Sequence, residues 1–209
     1  MAVITSIIVY EDKHEADVVA NGETYRITTA DLSRLACIEG ECDDDIIEIL
    51  ITCTDRLACI KKAFSVLSYG DVSEKRLVRK LSEKFDKETA SEVAALMKER
   101  GYIDEYAAAE RFASRFAEVK LWGPERIRNE LKVRGYERDA VNEAVLSLDG
   151  DSLAENLNTL IAKKLPSSGI SDIKIKSKLC AYLKRMGYSY DMINTALRAF
   201  SEQGGYFAD

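Results

Sequence analysis

Nine of the chain's 30 basic residues lie in two clusters. Clustered cations can bind the anionic groups of a partner. The first cluster lies within residues 126–134. The second lies within residues 174–185, in a stretch that has no carboxylate between Asp172 and Asp191. A basic run is also typical of a solvated helix face, so this alternative stays open. The residues that we predict to contact a partner are Arg126, Arg128, Lys132, Arg134, Lys174, Lys176, Lys178, Lys184 and Arg185.

Residue types that support catalysis or metal binding form no pattern that indicates a reaction centre or a metal site. The carboxylates of Asp43–Asp45 could bind a divalent cation, but acids also favour a helix N-terminus, and we favour that interpretation. His14 is the only histidine, and the five cysteines form no Cys-x-x-Cys pair, so we expect free structural thiols and no zinc site. No Gly-x-x-x-x-Gly-Lys phosphate loop occurs. We therefore predict that the protein is not an enzyme and needs no metal or cofactor.

Aromatic residues are placed mostly as core residues would be. Trp122 could stack on a base or fill a pocket of a partner, but a single tryptophan at a helix junction is more often part of the core. The aromatic residues at helical spacing, which we also assign to the core, are Phe112, Phe116, Tyr136, Tyr188 and Phe200.

Helices must position these residues, because apolar residues recur at the helical period from residue 54 onward. The phrase Leu-Lys-Val-Arg-Gly-Tyr at 131–136 returns at 183–188 as Leu-Lys-Arg-Met-Gly-Tyr, an offset of 52. A related phrase at 97–102 gives an offset of 34, the tetratricopeptide period, but the other positions of that motif do not match. Nine helical segments fall into three groups. We predict three stacked three-helix repeats at 54–101, 102–150 and 151–209.

The first 53 residues have a different pattern. Val3–Tyr10 is rich in β-branched residues, and Asn21-Gly22 lies between two further short β segments. Both residues of an Asn-Gly pair tolerate positive φ, which is the requirement of a two-residue hairpin turn. We predict a small three-stranded sheet, followed by a short helix near Asp31–Ala36, as an acidic N-terminal extension.

Charge is divided unequally along the chain. The net charge is −6, but residues 1–56 contribute −9 and residues 57–209 contribute +3. Overall acidity argues against strong sequence-independent binding of duplex DNA, which depends on phosphate neutralisation. No apolar run approaches the roughly 20 residues that a bilayer-spanning helix needs. No secretory signal is visible at the start, so we expect a cytoplasmic protein.

Three phrases resemble the signatures of one family. Gly101–Glu105 with Arg111-Phe112-Ala113 is similar to a "GYIDD…FA" phrase, and Gly123–Tyr136 is similar to G-x-x-R-I-x-x-E-L-x-x-K-G. Ser73–Leu77 resembles the phrase that opens the second helix of the first repeat. On these residues the chain resembles the RecX family of recombination regulators.

The resemblance implies a mainly α-helical body of three tandem three-helix repeats, forming an elongated, curved array. It implies a protein that binds the RecA recombinase, lies along the groove of the RecA–DNA filament, and curbs ATPase and strand-exchange activities. It implies no catalytic centre and no cofactor. We expect a monomer that binds bare DNA weakly. The alternative is a helix-turn-helix-like module that acts directly on nucleic acid.

Overall fold

A computed structural model of the chain describes residues 1–165 and 173–202. The described residues form ten α-helices and one small sheet, so the fold is mostly helical with an N-terminal antiparallel sheet. The chain divides into two compact units. The first comprises residues 1–71 and 76–103, and the second comprises residues 72–75 and 104–209.

The sheet of the first unit has four antiparallel strands in the order β3-β2-β1-β4. They are β1 (Ala2–Tyr10), β2 (Glu15–Ala20), β3 (Glu23–Thr28) and β4 (Gly40–Cys42). The predicted hairpin is confirmed, because Asn21 and Gly22 connect β2 to β3 with φ of 50° and 83°. The three-strand prediction missed β4, a three-residue strand whose Gly-Glu-Cys sequence carries no β pattern and which forms by pairing with the start of β1.

Helices α1 (Thr29–Leu35) and α2 (Asp45–Leu67) complete the core of the sheet. The predicted segment boundary between residues 53 and 54 falls inside α2. The apolar period predicts Phe64 on a buried stripe of this helix, but Phe64 is 40% exposed. Since α2 packs against both β3 and α4 (Lys87–Glu99), its buried side shifts to small residues such as Cys59 and Ala63.

Two further helices follow along the chain. Helix α3 (Glu74–Leu81) buries Leu77 and Leu81. Helix α4 starts at Asp86, whose side chain accepts a hydrogen bond from the backbone N–H of Thr89. The chain leaves α4 through Gly101, whose φ of +76° favours glycine.

Six helices make up the second unit. They are α5 (Glu105–Lys120), α6 (Pro124–Val133), α7 (Arg138–Leu146), α8 (Gly150–Lys164), α9 (Ile173–Met186) and α10 (Tyr190–Glu202). Side-chain caps at Asp104, Asp149 and Ser189 stabilise the starts of α5, α8 and α10, and Pro124 lies in the first turn of α6. The division of the body into three repeats stays a prediction.

One apolar core joins these six helices. The predicted core aromatics are confirmed, since Phe116, Tyr136 and Tyr188 are buried and Phe112 and Phe200 pack against the same core. Trp122 is half-buried against this core, which favours its interpretation as a structural residue.

Candidate partner-binding surface

The start of α6 packs on the turn that follows α9, with no side chain between the two backbones. The N–H groups of Gly123 and Glu125 donate to the carbonyls of Met186 and Gly187, at 2.8 and 3.0 Å. These groups are the unsatisfied backbone ends of two helices, so each end supplies what the other lacks. A Cβ at Gly187 would lie 2.4 Å from the Cβ of Arg126. We call this contact of residues 123–126 with 186–188 the α6–α9 seam.

The connection between α5 and α6 is held by the same turn. Leu121 ends α5 with φ of +53°, a conformation that L-residues rarely adopt. The hydroxyl of the buried Tyr188 donates to the carbonyl of Leu121 at 3.1 Å. Burial raises the pKa of Tyr188 to about 12, so this hydroxyl keeps its proton at neutral pH.

A buried carboxylate holds the other end of α6. Glu105 is 5% exposed, and its two oxygens accept hydrogen bonds from the backbone N–H groups of Glu74 and Glu137, at 2.8 and 3.2 Å. The Ser73 hydroxyl donates to the carbonyl of Arg134 at 2.7 Å. We call the contact of Glu105 and Ser73 with the residues after α6 the Glu105 junction. Sequence reasoning assigned Glu105 no role, because its two partners are 31 and 32 residues away.

Three of the four predicted contact residues on α6 interact within the protein. The guanidinium of Arg126 lies 4.2 Å from the ring centroid of Trp122 and donates to the carbonyl of Arg185 at 3.3 Å. Arg128 pairs with Glu125 at 2.6 Å. Arg134 pairs with Glu130 at 3.0 Å and lies 4.7 Å from the ring centroid of Phe112. These arginines therefore stabilise the second unit.

Lys132 differs from its neighbours on α6. Its side chain is exposed and forms no hydrogen bond or ion pair within the described part of the chain. An exposed lysine without an internal partner can bind an anion of a partner without breaking a contact within the protein. Lys132 stays a predicted contact residue.

The predicted contact residues on α9 are all exposed. Lys174 and Lys176 each also interact within the protein. The amino group of Lys184 lies 5.9 Å from the ring centroid of Tyr190. The side chains of Lys178 and Arg185 form no hydrogen bond or ion pair within residues 1–165 and 173–202.

Lys178 and Arg185 line the same surface cavity, of about 440 Å³, between the end of α8 and α9. Lys164 is the third cation that lines this cavity. The apolar part of the cavity wall is made by Leu165, Ile175, Leu179 and Tyr182. We call this cavity the α8–α9 groove. Sequence reasoning missed Lys164 and Tyr182, and no local pattern joins Lys164 to α9. The groove combines unpaired positive charge with an apolar surface, which suits an anionic partner that also offers an apolar group.

A second cavity in the same unit carries the opposite charge. It has a volume of about 430 Å³ and is lined by Glu118, Asp149 and Glu155, among others. Hydrogen bonds from Ser152 hold the pKa of Asp149 below its ordinary value, so this carboxylate is charged at neutral pH. An anionic partner is therefore repelled at this cavity and attracted at the α8–α9 groove.

Within residues 1–165 and 173–202, no group of three or more histidine, cysteine, aspartate or glutamate side chains is placed to hold a metal ion. All five cysteines are free thiols, and burial raises the pKa of Cys59 to about 11. None of the described helices combines the length and the apolar character that crossing a membrane requires.

Comparisons with known proteins find relatives that share one name. Residues 151–197 match the family model described as "RecX, third three-helix domain". The regulatory protein RecX of Clostridioides difficile (strain 630) is 32% identical over 65% of this chain, and the match spans 65% of that protein, just under two thirds of its length. The regulatory protein RecX of Clostridium botulinum (strain Alaska E43 / Type E3) is 26% identical over 77% of each chain.

A solved structure shares the fold. The crystal structure of a regulatory protein RecX superposes with a TM-score of 0.78 at 21% identity, covering 93% of this chain and 100% of that one. The family model, the curated relatives and this fold agree with the phrases at 101–113 and 123–136. The family model and the curated relatives support a RecX family protein.

Proposed function

We propose that this protein regulates homologous recombination and DNA repair by binding the RecA–DNA filament and inhibiting RecA ATPase and strand exchange. The observation that carries the proposal is the match to relatives named regulatory protein RecX. The exposed cations of the second unit support it, since they offer a contact surface to a large anionic assembly. The function is regulatory and not enzymatic.

The contacts that we propose are six of the predicted nine residues and one further residue, Lys164. Arg126, Arg128 and Arg134 act inside the protein. The cations that remain for a partner, together with the newly found Lys164, are Lys132, Lys164, Lys174, Lys176, Lys178, Lys184 and Arg185.

Inhibition follows from binding at several points. Individual exposed ion pairs are weak, about 0–1 kcal/mol each. Several such contacts on one filament add up, because each one raises the effective concentration of the next. A protein that bridges neighbouring RecA subunits would oppose the relative motion that ATP turnover and strand exchange need.

The test is the DNA-dependent ATPase of RecA with substoichiometric amounts of this protein, together with binding to bare single-stranded DNA. We expect inhibition well below one molecule per RecA subunit, and weak binding to bare DNA. No effect on the ATPase at saturating protein would contradict the proposal.

The second candidate is direct binding to nucleic acid, favoured by the carboxylate-free basic stretch of α9. It predicts tight binding to bare DNA with a steep salt dependence, since each phosphate contact releases a counterion. Tight, salt-sensitive DNA binding without an effect on RecA would favour this candidate over the first.

A further inference from the structure

The α8–α9 groove has a composition that separates it from a surface for nucleic-acid phosphates. Three cations, Lys164, Lys178 and Arg185, surround the floor made by Leu165, Leu179 and Tyr182, and none of the described residues that line the groove is a carboxylate. A phosphate gains little from an apolar floor, because burying a charged oxygen against carbon costs free energy. A peptide that carries both carboxylates and an apolar side chain can use both parts of the groove.

The charges of the groove are available for such a peptide. Lys178 and Arg185 are exposed, and neither has an ion-pair partner among the described residues. Seven residues apart on one helix, they lie on the same face, about 10 Å apart along the axis. The amino group of Lys164 lies 5.2 Å from the ring centroid of Tyr182, so the third charge is next to the apolar floor.

The dimensions also fit a peptide. A volume of about 440 Å³ holds one or two apolar side chains and is near the lower end for ligand pockets. In an extended peptide, residues three positions apart are separated by about 10 Å. Two carboxylates that flank an apolar pair can therefore reach Lys178 and Arg185 together.

We propose that the α8–α9 groove binds a short acidic segment of a protein partner, with an apolar side chain of that segment inserted between Leu165, Leu179 and Tyr182. The flanking carboxylates pair with Lys178, Arg185 and Lys164. This specifies the chemistry of one contact, and it rests on the proposed function only for the identity of the partner.

The test measures fluorescence anisotropy with the full-length protein and a fluorescein-labelled synthetic peptide that has a Leu-Phe pair between Asp and Glu residues. Two control peptides carry Ala-Ala in place of Leu-Phe, or Asn and Gln in place of the acids. We expect each control peptide to bind about tenfold more weakly or worse. Equal binding of the Leu-Phe and Ala-Ala peptides would overturn the proposal, since the apolar floor would then have no role.

A charge-matched pair of variants locates the site. We expect Lys178→Glu with Arg185→Glu to weaken peptide binding at least about tenfold. Lys87→Glu with Arg138→Glu makes the same change in net charge at exposed positions that do not line the groove, and should bind within about twofold of the wild type. Equal losses in both double variants would mean non-specific attraction and would overturn the proposal. Circular dichroism checks that both variants remain folded.

A labelled oligothymidylate in the same assay tests the competing ligand class. Tighter oligonucleotide binding that the groove variant abolishes, with no peptide binding, would assign the groove to nucleic acid and overturn the proposal. The proposed function is tested separately, by the RecA ATPase assay. If peptide binding depends on Lys178 and Arg185 but the protein leaves RecA ATPase unchanged, the groove assignment holds and the RecA assignment does not.

Discussion

The two basic helices of the second unit, α6 and α9, use the same residue types in opposite ways. Three arginines of α6 interact within the protein, with Trp122, Glu125, Glu130 and the carbonyl of Arg185. On α9, Lys178 and Arg185 are exposed beside an apolar groove and have no ion-pair partner in the described chain. In this chain the arginines of the phrase at 123–136 therefore contribute to the fold, while the cations of α9 are left accessible to a partner.

The difference has a structural cause. Helix α6 is held at both ends, at its start by the α6–α9 seam and after its end by the Glu105 junction. Its arginines lie close to these contacts and to the aromatic core. Lys178 and Arg185 lie on the exposed side of α9, away from the buried Leu179 and Leu183, and have no ion-pair partner among the described residues.

The largest effect on stability is expected for Gly187→Ala, which breaks the start of α6. The new Cβ would lie 2.4 Å from the Cβ of Arg126 and 2.5 Å from its backbone nitrogen, at a residue with φ of +98°. We expect the free energy of unfolding to fall by about 3 kcal/mol, from left-handed strain and overpacking together. Urea unfolding monitored by circular dichroism measures it.

Gly101→Ala is the matched control for this variant. Gly101 also has positive φ, at +76°, but a Cβ there would have no neighbour within 4 Å. Only the backbone strain applies, at about 1 kcal/mol. If Gly187→Ala were no more destabilising than Gly101→Ala, the close seam would not contribute to stability.

The next effect is expected for Glu105→Ala, which breaks the junction after α6. It leaves the N–H groups of Glu74 and Glu137 without their carboxylate acceptor, and we expect a loss of about 2 kcal/mol. Glu110→Ala, on the exposed side of the same helix, should change stability by less than about 0.5 kcal/mol. Similar losses of stability in the two variants would show that the Glu105 junction does not stabilise the end of α6.

A smaller effect is expected for Arg126→Ala. The variant loses the contact with the Trp122 ring and the hydrogen bond to Arg185, for about 1 kcal/mol. Trp122 is the only tryptophan, so its fluorescence reports the change directly. We expect a red-shifted emission as the ring gains water. Unchanged emission and stability would show that Arg126, like Lys178 and Arg185, makes no stabilising contact within the protein.

The smallest effect on stability is expected for Lys178→Ala with Arg185→Ala. Since neither side chain has an internal partner in the described residues, the free energy of unfolding should change by less than about 0.5 kcal/mol. Thermal unfolding of this double variant beside Arg126→Ala sharpens the contrast between the helices. If the α9 double variant lost more stability than Arg126→Ala, the contrast between the two helices would be contradicted.

Much of the fold could be predicted from the sequence because the signals are local. The Asn21-Gly22 turn depends on two adjacent residues, and the core aromatics Phe116, Tyr136 and Tyr188 follow the helical period, so both features lie where the pattern indicates. The strand β4 and the exposure of Phe64 could not be predicted, because they depend on which surface of β1 or α2 is covered by a distant element.

The candidate site was predictable only as a list of charges. Arg126 and Lys178 look alike in the sequence, and what separates them is the position of Trp122 and of the turn at Gly187 in three dimensions. The groove needs Lys164 from α8 and Tyr182 from α9, which no periodic pattern connects.

The most direct test of the division between α6 and α9 is RecA ATPase inhibition by two variants measured side by side. We predict that Arg126→Ala, at a temperature where it is folded, inhibits as the wild type does. We predict that Lys178→Ala with Arg185→Ala needs about tenfold more protein for half-inhibition. Wild-type inhibition by the α9 variant, with inhibition lost in folded Arg126→Ala, would contradict the assignment of α6 to the fold and of α9 to the partner.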